Sequence, residues 1–169
     1  LIDVASVAGC DFVKFQKRNP DVCVPEEQKN KMRKTPWGEM TYLDYKWKTE
    51  FDRNQYAELF KYCEHRGIEM FASVWDKDSV DFMRQFTKVM KIPSALITNL
   101  DLVEYARSHS DFLMISTGMS TEDEITRCVE AGDPSLIFHT NSSYPSPVED
   151  LNLNYIDHLK ETYLIQTKK

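Results

Sequence analysis

The chain has 169 residues, 41% of them hydrophobic and 12% aromatic, with a net charge of −6. These proportions exclude a disordered chain and allow a substantial core. Charge is spread along the chain without a basic stripe, which excludes nucleic acid as the expected partner, and no apolar run approaches the ~18 residues of a membrane span.

In chain order, "LIDVASVAGC" reads as the tail of a helix stopped by Gly9. "FVKFQ" (12–16) reads as a strand in which Lys14 and Gln16 share one face, opposite Val13 and Phe15. An unpaired ammonium inside a sheet costs several kcal/mol, so Lys14 either reaches water or meets an anion. "KNKMRK" (29–34) reads as a solvated loop, and a long helix is expected from Tyr42. Asp52 caps a predicted helix with Tyr56, Leu59, Phe60 and Cys63 on its apolar stripe and Gly67 at its end.

Four further apolar runs follow, "MFASVW" (70–75), "KVMKI" (88–92), "FLMIS" (112–116) and "SLIFH" (135–139). Between them lie predicted helices with starts at Asp78, Asn99 and Ser120, the last with a capping-box-like Asp123, an Ile125, Cys128 and Val129 stripe, and Gly132 as its stop. A last helix follows Val148. The repeat of strand, loop and helix implies parallel strands with right-handed crossovers. Polar residues at the strand ends favour a β/α barrel over an open sheet buried on both faces. Five strands are visible where a full barrel needs eight, so the expected fold is α/β, a partial (β/α)8 barrel within a single incomplete domain over 1–169.

The four cysteines, Cys10, Cys23, Cys63 and Cys128, lack a C-x-x-C pair. Reduced structural thiols are expected, and with them a cytoplasmic location.

The strand ends carry the chemistry. Lys91 lies near the end of its strand, with Ser94 just beyond; Ser116 ends another, where Thr117 and Gly118 turn into the next helix. Lysines, hydroxyls and free N–H groups on one rim suit a phosphate or carboxylate. Taken singly, a strand-end lysine more often snorkels, a serine satisfies loop backbone, and His139 reads as a hydrogen-bonded packing residue. No metal motif, Walker loop, nucleophile elbow or G-x-G-x-x-G occurs.

The ordered set "VKFQKR", "VPEEQKNKMRKTPWGEMTYLDYK", "FASVWD", "KIPSA", "ISTGMST" and "HTNSSYPSPVEDLNLNYI" resembles the sialic acid synthase family, which makes N-acetylneuraminic, legionaminic and pseudaminic acids. The resemblance implies a β/α barrel that condenses phosphoenolpyruvate with N-acetylmannosamine or a related acylated hexosamine, releasing phosphate. It further implies a divalent metal, manganese or magnesium, that activates the sugar aldehyde, and a homodimer. By the resemblance, Lys14, Lys91, Ser94 and Ser116 hold phosphoenolpyruvate together with Ser73, while Gln16, Ser142 and Tyr144 line the floor toward the sugar.

Against the family pattern, a first strand and its glutamate are expected before Leu1, and metal-binding histidines and a C-terminal antifreeze-like domain after the chain's end. No catalytic residue and no metal ligand is therefore expected within these 169 residues. Two other readings stand beside the synthase. One is an inert remnant that only binds ligand or a partner chain, with an open edge that drives association. The other is a Schiff-base aldolase with Lys91 as nucleophile and its pKa lowered by Lys14.

Overall fold

The computed structural model describes residues 1–163. Helix α1 (Ile2–Val7) leads into strand β1 (Phe12–Lys17), followed by an excursion of short elements: α2 (Pro20–Cys23), α3 (Glu26–Lys29), β2 (Met32–Thr35), β3 (Gly38–Thr41) and α4 (Tyr42–Thr49). The main alternation resumes with α5 (Arg53–Arg66), β4 (Glu69–Val74), α6 (Lys77–Met83), β5 (Val89–Ile92), α7 (Leu100–Ser108), β6 (Phe112–Ser116), α8 (Glu122–Gly132), β7 (Leu136–Phe138) and α9 (Tyr155–Tyr163).

Strands β1, β4, β5, β6 and β7 pair in that order, all parallel. Each passage from one to the next contains helix, as parallel neighbours require. Outside the β2–β3 pair, spatial order follows chain order, which is the winding of a β/α barrel; the five strands form an arc of one.

The pleat divides the sheet into two faces. Ala72, Val74, Met90, Ile92, Leu113 and Ile115 share one face and are fully buried. They form one core with Tyr56 and Cys63 of α5, Val80 and Met83 of α6, Val103 and Ala106 of α7, and Ile125 and Cys128 of α8. Each Val, Leu, Ile or Met side chain among them contributes about 1.5–3 kcal/mol by leaving water. The concave face instead carries Lys14, Gln16, Phe71, Ser73, Lys91, Met114, Ser116 and Phe138.

Local signals explain the helix ends, with corrections. Asp52 and Gln55 form the capping box of α5. At α6 the cap is Asp76, not Asp78. At α8 the box is Thr121 with Glu124, not Ser120 with Asp123, and the left-handed residue after the helix is Asp133 rather than Gly132. In both cases two oxygen-bearing side chains stand within two residues, and spacing alone does not choose between them. "KNKMRK" is not all loop: Met32–Thr35 pairs antiparallel with Gly38–Thr41 around a turn containing Pro36 and Trp37. The helix from Tyr42 is short, eight residues, because Glu50 turns extended.

Gly132 serves packing rather than termination. A Cβ built there would lie 2.6 Å from Cγ1 of Val103, which is fully buried. Overpacking of that kind costs ~1–3 kcal/mol, against ~1 kcal/mol gained in helix propensity. The net, up to ~2 kcal/mol, should lower the melting temperature of Gly132→Ala by as much as about 8 °C, which differential scanning calorimetry would register; an unchanged or raised value would show that α7 yields freely.

All four cysteines are free, with Cys63 and Cys128 buried. Burial pushes the Cys128 thiol up to about 12. It is therefore an inert packing group.

Candidate anion-binding site at the strand ends

Parallel pairing sets Gln16 opposite Ser73, and Ser73 opposite Lys91. The three side chains form one row across β1, β4 and β5 on the concave face. Lys14 sits one pleat earlier, opposite Phe71. The expectation of a buried Lys14 is corrected here: Lys14 and Gln16 are both exposed, because β1 is the marginal strand of the sheet and only β4 flanks it.

Lys91 takes the buried place instead. Its residue is 8% exposed, and its ammonium has only a long contact, 3.5 Å, to the Ile92 carbonyl. It also lies 5.9 Å from the Phe138 ring centroid. Among the described residues no carboxylate pairs with it. Lys17, by contrast, has Glu50 at 3.6 Å and donates to the Phe51 carbonyl at 2.9 Å. Burial, and secondarily the nearby charge of Lys14, lowers the pKa of Lys91 from 10.5 to about 8. Beside it the Ser73 hydroxyl is buried without a hydrogen-bond partner among the described residues. Such groups are costly unless something satisfies them.

A second cluster caps the row. A Cβ placed on Gly118 would lie 2.5 Å from Ser142 Oγ, 3.0 Å from Thr140 Oγ1 and 3.4 Å from Ser94 Oγ. Hydroxyls from beyond β5 and β7 thus converge on the turn after β6, and only glycine leaves them room. The Gly118 N–H donates to Thr140 Oγ1 at 2.9 Å, and Thr117 donates to the Phe138 carbonyl through both its N–H and its hydroxyl. Ser116, at the end of β6, is 4% exposed. Tyr144 stands apart, fully exposed in the loop after β7.

Two contributors escaped sequence reasoning. Thr140 is a strand-end hydroxyl like Ser94, and that likeness was the available signal. Asp76 is the other. Its Oδ2 accepts the Asn19 N–H at 2.6 Å and lies 3.1 Å from Cys23 Sγ, while Oδ1 accepts the Ser79 N–H at 2.7 Å and the Ser79 hydroxyl at 2.8 Å. It ties the loop after β1 to the loop after β4, and so fixes the end of β1 that carries Gln16.

His139 is held as a packing residue: its Nε2 meets the Leu151 carbonyl at 2.8 Å and its ring lies 5.3 Å from that of Tyr155. Among the described residues no three His, Cys, Asp or Glu side chains gather as metal ligands, and no helix is long and apolar enough to cross a membrane.

Residues 1–167 match the sequence profile of the NeuB family. The N,N'-diacetyllegionaminic acid synthase of Campylobacter jejuni is 28% identical over 96% of this chain and 52% of its own length. The N-acetylneuraminate-9-phosphate synthase of Drosophila melanogaster is 30% identical, over 96% of this chain and 46% of its own. The chain thus spans about half the length of the curated relatives it matches. Among solved structures, the N-acetylneuraminic acid synthetase of Leptospira borgpetersenii, in complex with citrate, superposes with a TM-score of 0.82 at 24% identity, covering 96% of this chain and 54% of that one.

Proposed function

Because the chain belongs to the NeuB family, we propose that it supplies the phosphoenolpyruvate-binding part of a synthase. That synthase joins phosphoenolpyruvate to N-acetylmannosamine or a related acylated hexosamine. The observation that carries this reading is Lys91, a buried ammonium without a carboxylate, in a row with the unpartnered Ser73 hydroxyl. Phosphoenolpyruvate brings a phosphate and a carboxylate on three carbons. It would take Lys91 and Lys14 as counter-charges, with Ser73, Ser94 and Ser116 as donors. Gln16 and Ser142 would line the approach to the sugar aldehyde, and Tyr144 would join them if its loop closes.

In the proposed reaction a C–C bond forms between C3 of phosphoenolpyruvate and the aldehyde carbon. Water adds at C2, and phosphate leaves by C–O cleavage. Positive charge and oriented hydroxyls stabilise the tetrahedral C2 intermediate more than the planar enol. The family's divalent metal would activate the aldehyde; the described residues offer no cluster to hold it. The cytoplasm and a homodimer belong to the same proposal.

Phosphoenolpyruvate at 100 times its Kd should stabilise the fold by about 2.7 kcal/mol. In a thermal-shift titration the parent should show that rise, and Lys14→Ala should need at least tenfold more ligand for half of it. Equal titration curves would remove Lys14 from the site. The depressed pKa of Lys91 also suits imine chemistry. Borohydride with pyruvate discriminates, because a synthase of this kind takes up no label on Lys91 and an aldolase does.

A further inference from the structure

A buried lysine without a carboxylate needs a counter-charge even when no substrate is bound. Parallel pairing puts Lys91 on one face with Ser73 of β4 and Ser116 of β6. The charged group that acts on it is Lys14, one pleat earlier on β1, and that cation repels it. Lys17 falls on the opposite face of β1 and is engaged by Glu50 and the Phe51 carbonyl. The Ser73 hydroxyl has a proton to give and no acceptor among the described residues. The row thus holds a buried amine, a repelling cation and an idle donor, and a negative group would satisfy all three.

The amine can acquire that group itself. Burial and Lys14 lower its pKa to about 8, so roughly a tenth of Lys91 is neutral at pH 7, against fewer than about one in a thousand for a lysine at 10.5. Its nitrogen lies 5.9 Å from the centroid of Phe138, a residue 37% exposed, so the face beside it is open to a molecule of three atoms.

We propose that in the absence of substrate Lys91 is carboxylated by carbon dioxide to a carbamate, which takes the place of the phosphoenolpyruvate anion and closes the site to it. The lone pair of the neutral amine attacks the carbon of carbon dioxide. The N–C bond forms as one C–O π bond breaks, and the nitrogen gives a proton to solvent. Counted from the ammonium, two protons leave and a cation becomes an anion. The carbamate oxygens accept from Ser73 and pair with Lys14, so repulsion turns into attraction. Competition with phosphoenolpyruvate rests on the reading of the site given above; the modification rests on Lys91 and its neighbours.

The test is ¹³C NMR of the 1–169 chain in ¹³C-bicarbonate at pH 8. A carbamate resonance should saturate and be missing from Lys91→Met. Trapping with an alkyl oxonium reagent and peptide mass mapping should place the added carboxyl group on Lys91 in preference to the exposed N-terminal amine. Ser73→Ala should weaken carbamate formation about tenfold, one hydrogen bond to a charged group. Phosphoenolpyruvate at 100 times its Kd should reduce the resonance at least about tenfold. Label confined to the N-terminal amine and surface lysines, no saturable resonance, or a Lys91 carbamate that survives saturating phosphoenolpyruvate would each overturn the proposal. Failure of phosphoenolpyruvate to bind in bicarbonate-free buffer would instead overturn the reading of the site, and the carbamate would still be judged by its own resonance.

Discussion

Lys91→Met should make the ligand-free protein more stable at pH 7 by about 2–3 kcal/mol and abolish the proposed binding of phosphoenolpyruvate. Both effects come from one cause. The folded-state pKa of Lys91 is lowered from 10.5 to about 8 by burial and by Lys14, and each unit of such a shift is about 1.4 kcal/mol. A lowered lysine pKa means that the unfolded chain holds the proton more tightly. The penalty is therefore fully present below about pH 8 and fades as pH rises toward 10.5. Methionine fills similar volume without the charge. The stability difference between variant and parent should be largest at pH 7 and much smaller near pH 10. Urea melts at the two pH values measure it, and comparing the two proteins cancels the thiols of Cys23 and Cys128, whose raised pKa values act in the opposite direction. A variant no more stable than the parent at pH 7 would mean that Lys91 is well solvated, and the anion site would lose its main support.

Asp76→Ala should act in the other direction and destabilise by about 3 kcal/mol or more. The residue is 7% exposed. Its loss strands the Asn19 N–H and the Ser79 N–H and hydroxyl, and removes the cap of α6. Lost caps cost ~0.5–2 kcal/mol and buried donors left unpaired ~1–3 kcal/mol each. For a chain of this length that is a fall of about 6–12 °C in melting temperature. Asp76→Asn, which keeps an acceptor, should lose less than half as much. If the two variants melted together, the carboxylate charge, and not the count of acceptors, would be what holds the loops.

The barrel arc was readable because each strand is a short apolar run between polar turns, and β6 matches "FLMIS" residue for residue. The shared facing of Lys14 and Gln16 followed from alternation. The burial of Lys14 did not, because a residue's exposure depends on what flanks its strand, and β1 is flanked on one side only. Asp76 was hidden for a related reason: its value lies in Asn19, fifty-seven positions away, which no local spacing reports. The β2–β3 pair was missed because five of the six residues in "KNKMRK" are polar; the "TPWG" turn was the better signal.

That excursion has a consequence for how ligands arrive. Between Lys29 and Lys48 the sequence holds six Lys or Arg and two Asp or Glu, within a chain of net charge −6. Arg33 and Lys46 lie over the Tyr42 ring, and Lys48 over Trp37, so the cations are held in place rather than swept back onto the acidic body. The segment leaves from the end of β1, on the rim that also carries Ser94 and Ser116, and its cations are gathered in Lys29–Lys48 while Pro20–Thr49 as a whole holds six Lys or Arg against five Asp or Glu. A trianionic ligand of the proposed site would meet these cations at short range on its approach. Its capture rate should fall steeply once salt shortens the Debye length below about 10 Å, while its residence time, set by the buried row, stays nearly constant.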